Sequence, residues 1–399
     1  MKEIPGKRKT ENGKRQSEEE SRKSVLQPAT RNQEAWRLGL RLWCLVLSAW
    51  FLTLFSCSES PVDTVYFDFS GDHGVFIVNE GNFMYGNSSL SFYNPGTKRV
   101  YNQVFQARNG VPLGDVAQSM SIWKNLGFIV VNNSGKIYVV DSQTAEFKGS
   151  ISGLSSPRYV HVIDSEKSYV TDLFARKVTI FNPTTFQVTG FIPVGNSNSE
   201  FSQHSTEQMI PYKNLVFTNC WSYDNKILVI NSDTDQLVDS IEVFKQPNSM
   251  VIDRDNKIWV LSDGGFEGSP FGYEQAGLLK IDAETHEIER TFRFNKNDRP
   301  LNLCINPTKD TLYFLNRHVW KMAVTEKHLP EKPFITSKYT SLYGGFFSLA
   351  IDPTNRDVYI GDAIDHRQNG LVYRYNTSGK LIDSFKAGIS PGDFAFITE

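Results

Sequence analysis

Ser119-Met120-Ser121-Ile122, Tyr159-Val160-His161-Val162, Gln208-Met209-Ile210, Ser249-Met250-Val251-Ile252, Asn302-Leu303-Cys304-Ile305, Ser348-Leu349-Ala350-Ile351 and Asp393-Phe394-Ala395-Phe396 are seven versions of one short apolar strand. Their second residues, at 120, 160, 209, 250, 303, 349 and 394, are separated by 40, 49, 41, 53, 46 and 45 residues. A strand unit returning roughly every 45 residues marks the blades of a propeller. Within each period a second strand follows, such as Gly127-Phe128-Ile129-Val130-Val131, then a third, such as Lys136-Ile137-Tyr138-Val139-Val140-Asp141, then an outer one. The unit is a four-stranded antiparallel meander. Its third strand is the clearest mark, as in Lys177-Val178-Thr179-Ile180-Phe181-Asn182 and Lys226-Ile227-Leu228-Val229-Ile230-Asn231, with an Asn or Asp opening the next turn.

The chain ends complement one another. Residues 75 to 105 supply three strands with no inner strand before them, and residues 389 to 398 supply an inner strand with nothing after it. The expected fold is all-β, a seven-bladed β-propeller over 74–399 whose C-terminal strand joins the N-terminal blade, so that no sheet edge is left open.

The chain has 399 residues, 40% of them hydrophobic, and the repeat uses nearly all of the chain beyond the leader. The first 57 residues carry 11 Lys/Arg and 6 Asp/Glu, leaving 31 and 38, a net charge of −7, on the remainder. No cluster of basic residues offers a footprint for nucleic acid.

Leu42 to Phe55 is a run of fourteen uncharged residues preceded by Arg37 and Arg41. It is short for a membrane span and has the form of an export signal. Leu54-Phe55-Ser56-Cys57 resembles a bacterial lipobox, which would make Cys57 the lipidated first residue of the mature protein. A signal anchor is the competing reading. Residues 1–57 are therefore read as a leader, with 1–35 upstream of the true start codon, and 58–73 as a tether; Ser58-Glu59-Ser60-Pro61-Val62-Asp63 resembles the acidic tag of some surface lipoproteins. The expected location is the outer membrane, facing outward, with membrane contact through the lipid alone. Cys220 and Cys304 fall in different blades and are expected to be unpaired, Cys304 buried.

No catalytic motif is present: no phosphate loop, no His-x-x-x-His, no Cys-x-x-Cys, and no spacing that makes ligands of any two of the seven histidines. Function is expected at one mouth of the ring, on the loops joining the second strand to the third. These carry Phe83 and Tyr85; Phe174 and Arg176; Trp221 and Tyr223; Phe266, Phe271 and Tyr273; Arg317 and His318; and His366 and Arg367. Rings interleaved with amides and Arg suit a large amphipathic ligand such as a sugar or a planar macrocycle. The bland alternative is that the rings pin their own loops.

A second group, Gln118, Arg158, Glu207, Asn248, Asn302 and Asp393, enters the channel from different inner strands. Glu207, Asn248, Asn302 and Asp393 could hold Ca2+, as in metal-dependent propeller lactonases. Strand alternation opposes this, because two of them lie one residue and two lie two residues before their anchors. An Arg158–Glu207 pair filling a wet channel fits equally well.

Two stretches, Phe76-Ile77-Val78-Asn79-Glu80-Gly81-Asn82 with Ser89-Leu90-Ser91-Phe92-Tyr93, and Leu113-Gly114-Asp115-Val116-Ala117-Gln118-Ser119-Met120, resemble the YncE-like seven-bladed propeller lipoproteins of Bacteroidetes. The resemblance implies a surface lipoprotein that captures cobalamin for a TonB-dependent outer-membrane transporter. A corrinoid would then be a ligand rather than a cofactor, and no cofactor is required. The sequence thus leads to a non-catalytic nutrient binder, with a structural or adhesive surface propeller and a calcium-dependent lactonase-like hydrolase as alternatives.

Overall fold

A computed structural model describes residues 73–195, 204–339 and 345–398. The leader with Cys57, and the tether apart from His73, lie outside the described residues. Numbered in chain order, the inner strands are β4 (Ala117–Trp123), β8 (Pro157–Val162), β12 (Thr206–Tyr212), β16 (Pro247–Ile252), β20 (Leu301–Ile305), β23 (Phe346–Ile351) and β27 (Pro391–Phe396). Each contains one of the seven anchors, and each touches the next around a closed cycle in which β27 meets β4. Seven antiparallel sheets radiate from this cycle, giving a seven-bladed β-propeller. The last strand pairs with β1 (Val75–Asn79), so the first blade is assembled from both ends of the repeat.

Burial follows position in the blade. Second strands such as β1, β9 (Ser168–Asp172) and β24 (Val358–Asp362) are buried at every residue, because a neighbouring blade covers each face. Outer strands such as β7 (Phe147–Ser152) expose most of their residues. The core comprises seven apolar clusters, each shared by two adjacent blades. One holds Phe128, Val139, Val160 and Phe181, and another Tyr93, Tyr359, Val372 and Phe394. Contact between blades, rather than within them, makes the ring.

In six blades an Asn or Asp ends the third strand or directly follows it: Asn94, Asp141, Asn182, Asn231, Asp282 and Asn376. Its side-chain oxygen accepts two backbone N–H bonds from the turn, at 2.8 to 3.1 Å. That bond shapes the reversal into the outer strand. The sixth blade has Ala323 at this place, and among the described residues it is a three-stranded sheet rather than the four-stranded one expected. Its outer position is reduced to a bridge between Ile335 and Val319. Pro330 and Pro333, which lack a donor for a ladder, explain why no longer strand forms.

Among the described residues one short helix interrupts the β pattern. It is α1 (Val104–Asn109), which tucks Val104 and Phe105 into the cluster between the first and second blades. Six residues are too few to show a helical period in a sequence.

Candidate functional site

The loops between second and third strands and the connections between blades leave the ring on one face. Fourteen large apolar side chains are exposed among the described residues: seven lie on outer strands and seven, Phe83, Met84, Tyr85, Val111, Phe174, Phe266 and Tyr339, on the loops of this face. The tight turns of the opposite face carry none of them. Of the two faces, the loop face is thus the one with apolar side chains open to solvent.

The structure divides the candidate residues by availability. Phe83, Tyr85 and Phe174 are 65%, 78% and 61% exposed, and Arg176, Arg317 and Arg367 also face solvent. Trp221, Tyr223, Phe271 and Tyr273 come together across the fourth and fifth blades and are half-buried. Tyr223 packs on Phe271 at 4.4 Å between centroids, and the Trp221 indole N–H points at Asp263, 3.5 Å away. The Tyr273 hydroxyl donates to the Lys296 carbonyl at 2.9 Å, under the Arg299 guanidinium. These four brace their loops while leaving part of each ring open. His318 accepts the Ser337 N–H at 3.2 Å, and His366 meets the Ser390 hydroxyl at 2.9 Å with its ring edge-on to Phe347.

The Asn-Glu-Gly-Asn and Gly-Asp-Val-Ala-Gln stretches form one structural unit. Gly81 adopts φ 73°, and a Cβ there would lie 2.7 Å from the Ser88 nitrogen, so only glycine fits. The Asn82 N–H donates to Asn87 at 2.7 Å, the Met84 N–H to the Asp115 carboxylate at 2.9 Å, and the Ser88 hydroxyl to the Gly114 carbonyl at 2.7 Å. The loop that displays Phe83 and Tyr85 is therefore pinned at both ends. Beside it opens a cavity of about 320 Å³ lined by Asn87, Asn102, Gln103, Gln106 and Asn369. Asn87 and Asn369 lie at the ends of candidate loops, but sequence reasoning missed Asn102, Gln103 and Gln106, which the connection around α1 supplies; the run Asn102-Gln103 with Gln106 was their only signal.

Every inner strand carries a register irregularity just before its anchor, where it has an extra residue relative to its partner. The extra residues include Gln118, Arg158, Glu207, Asn248, Asn302, Phe347 and Gly392. Bulges re-aim side chains and suspend alternation, so the ring of polar groups at the channel entry is a product of bulging. At Gly392 the Glu80 carboxyl occupies the space a side chain would take, 2.6 Å from the Cβ position.

Each of these groups has protein partners. Arg158 Nε donates to Glu207 Oε2 at 2.8 Å and Arg158 Nη1 to Gln118 at 2.5 Å. Asn248 donates to the Pro300 carbonyl at 2.8 Å and Asn302 to the Phe347 carbonyl at 3.2 Å, each tying its strand to the next blade. Asp393 Oδ2 accepts the Met120 N–H at 3.0 Å. Cys304 is a free thiol as expected but only half-buried; it donates to the Leu349 carbonyl at 3.0 Å, and burial pushes its pKa up to about 12.

Two carboxyls here are shifted into the neutral range. Burial raises Asp393 to about 7 against the Met120 and Phe394 N–H bonds that favour its anion. Burial also raises Glu80 to about 7, opposed by Arg158 and reinforced by Asp393. A carboxyl whose folded pKa exceeds its unfolded value binds its proton more tightly when folded. It therefore withdraws stability as pH climbs from about 4 towards 7. Asp393→Asn keeps an acceptor for Met120 without the charge, so its melting temperature is expected to fall less between pH 5 and 8 than that of the parent. Equal slopes for the two proteins would show that Asp393 titrates like a solvated acid.

Ring and sheets define a seven-bladed β-propeller with its long loops on one face. The chain belongs to the family described as Domain of unknown function (DUF5074), whose model matches residues 73–388. Among solved structures it is similar to a quinonprotein alcohol dehydrogenase-like protein from Bacteroides thetaiotaomicron, with 15% identity over 81% of this chain and 78% of the other and a TM-score of 0.62. It is also similar to a protein from Lactobacillus plantarum, with 15% identity, 81% and 99% coverage and a TM-score of 0.58. A third is apo AztD from Citrobacter koseri, with 10% identity, 81% and 97% coverage and a TM-score of 0.52. At these identities the likeness is one of fold. No curated protein matches the chain.

Proposed function

We propose that the loop face is a non-catalytic capture surface for a large amphipathic ligand, of which a corrinoid is the class that fits best. In this reading the protein is a lipoprotein anchored through Cys57 at the outer membrane, and it passes its ligand to a TonB-dependent transporter. The observation that carries the reading is the placing of Phe83, Tyr85 and Phe174, each more than three-fifths exposed, on loops of one face. Such rings bring apolar area at little ordering cost, and the neighbouring amides of Asn87, Asn102 and Gln106 can serve a polar rim. The resemblance of the 76–93 and 113–120 stretches to cobalamin-capturing lipoproteins supports the choice of ligand.

Calorimetric titration with cyanocobalamin tests it. One-to-one binding is expected, weakened at least tenfold in the Phe83→Ala, Tyr85→Ala, Phe174→Ala triple variant, since truncating a contact ring commonly costs about 1–2 kcal/mol. The melting temperature should hardly move, because none of the three rings is in the core. Absence of binding would remove corrinoids as the ligand class, and a lost fold in the triple variant would show that the rings are structural.

A further inference from the structure

At the rim of the fourth blade, at the two ends of the stretch that carries Trp221 and Tyr223, three ligand-type side chains converge from separate elements. His204 lies on the connection entering β12, Cys220 ends β13 (Leu215–Cys220), and Asp224 lies in the loop after it. The thiol sulfur, an imidazole nitrogen and a carboxylate oxygen lie within 4.8 Å of one another. His204 Nδ1 and Asp224 Oδ2 are 2.5 Å apart.

The backbone holds all three in place. Cys220 stands opposite Thr206 and Lys226 in its sheet. The His204 N–H donates to the Val194 carbonyl at 3.1 Å, and the Asp224 carbonyl accepts the Gln246 N–H at 2.8 Å. Cys220 is fully buried, and the side chains of His204 and Asp224 are 13% and 9% exposed. A second His–Asp pair, His286 with Asp239 at 2.6 Å, joins a turn of the fifth blade to the outer strand of the fourth, and among the described residues no group of three ligands forms around it. That pair is a simple brace, and the thiol sets the first apart.

We propose that His204, Cys220 and Asp224 form a binding site for a divalent transition ion of zinc type, which clasps the incoming connection to the Trp221–Tyr223 loop and leaves a fourth position open. A thiolate and an imidazole select such an ion over Ca2+. Tetrahedral Zn2+ sets its donor atoms about 3.3–3.6 Å apart, so His204 and Asp224 must part by about 1 Å while the thiol closes in, movements within reach of side-chain rotation. In the metal-free protein, burial pushes the Cys220 thiol well up, with the Asp224 and Glu207 carboxylates adding to it. A dication reverses that field: the sulfur–metal bond forms as the S–H bond breaks, and the proton leaves to buffer.

Cobalt titration of the full chain, reduced and stripped with a chelator, tests the site. One equivalent of Co2+ is expected to produce a near-ultraviolet thiolate-to-cobalt charge-transfer band with intense visible bands, and Zn2+ should abolish both. Cys220→Ser should lose the charge-transfer band, His204→Gln should weaken it, and Cys304→Ser should keep it. Zn2+ should also raise the melting temperature of the parent but not of Cys220→Ser, whose melt without metal reports whether it folds. No band in the parent, or a band that survives Cys220→Ser, would overturn the proposal. Because the readout is the metal itself, failure to bind cyanocobalamin would leave this result unaffected.

Discussion

A chain ending at Ile389 is expected to lose its cooperative melting transition and to be cut rapidly by protease at temperatures where the full chain resists. The missing strand, β27, supplies the inner ladder of the first blade, where Phe396, Ala395, Phe394 and Asp393 stand opposite Val75, Phe76, Ile77 and Val78. It buries Phe394 and, just beyond, Ile397. It also closes the ring on both sides, since Asp393 holds the Met120 N–H and the Pro391 carbonyl accepts the Ser348 hydroxyl at 2.6 Å. Burying two large side chains (Phe394 and Ile397) is worth about 3–6 kcal/mol, with half-buried Phe396 adding to it. Some four or five ladder bonds add about 2–7 kcal/mol. The total is comparable to the whole stability of a domain, about 5–15 kcal/mol. A truncated protein that melted cooperatively within a few degrees of the parent would show that the ring stands without its clasp.

Arg158→Met should destabilise the fold by about 3–5 kcal/mol near neutral pH, the usual cost of leaving one member of a buried pair alone. The Arg158 and Glu207 side chains are only 14% and 4% exposed, and Glu207 Oε1 already lacks a partner. Burial raises the Glu207 pKa even with Arg158 in place. Without the guanidinium the anion loses the charge that opposes its burial, and Glu80 loses the group that restrains its own upward shift. The sign follows from linkage. The folded pKa of Glu207 would rise further above the unfolded value, so the penalty is small at pH 4 and grows as pH rises towards the new folded pKa. Adding Glu207→Gln should recover much of the loss at pH 8 and little at pH 4. Chemical denaturation of the two variants at both pH values decides it: equal losses at pH 4 and pH 8 would mean that Arg158 acts through packing alone.

The seven inner strands and the Asn/Asp turns were legible because they repeat, and repetition averages out the noise of any one segment. Even the sixth blade, three-stranded among the described residues, has its mark, Ala323 where the other blades have Asn or Asp. At the channel the Arg158–Glu207 pair was legible, whereas the argument from strand alternation fails for a physical reason. Alternation along a strand argued that Glu207 and Asn248, two residues before their anchors, and Asn302 and Asp393, one before, should face different ways. The bulge before each anchor suspends that alternation, and a bulge has no reliable sequence signal. The candidate loops were found because they break the repeat. Which rings stay open was not legible: Trp221 and Tyr273 lean on Asp263 and Lys296, partners set by the neighbouring loop, whereas Phe83 and Tyr85 stand free on a pinned one. The trio of His204, Cys220 and Asp224 escaped because its spacing of 16 and 4 residues matches no metal motif and arises only from the pairing of β12 with β13.

The shared first blade also sets a clock. Val75 and Phe396 are register partners 321 positions apart, so at the usual pace of synthesis, about 5–20 residues per second, β1 waits on the order of 15–65 s for its neighbour. During that interval an entirely apolar edge, Val75-Phe76-Ile77-Val78, is open to any other strand that meets it. The closing contact is the most non-local strand pairing among the described residues, which makes it a slow step by topology alone. Aggregation in the making of this protein should therefore depend less on how stable the finished ring is than on how quickly its last ten residues arrive.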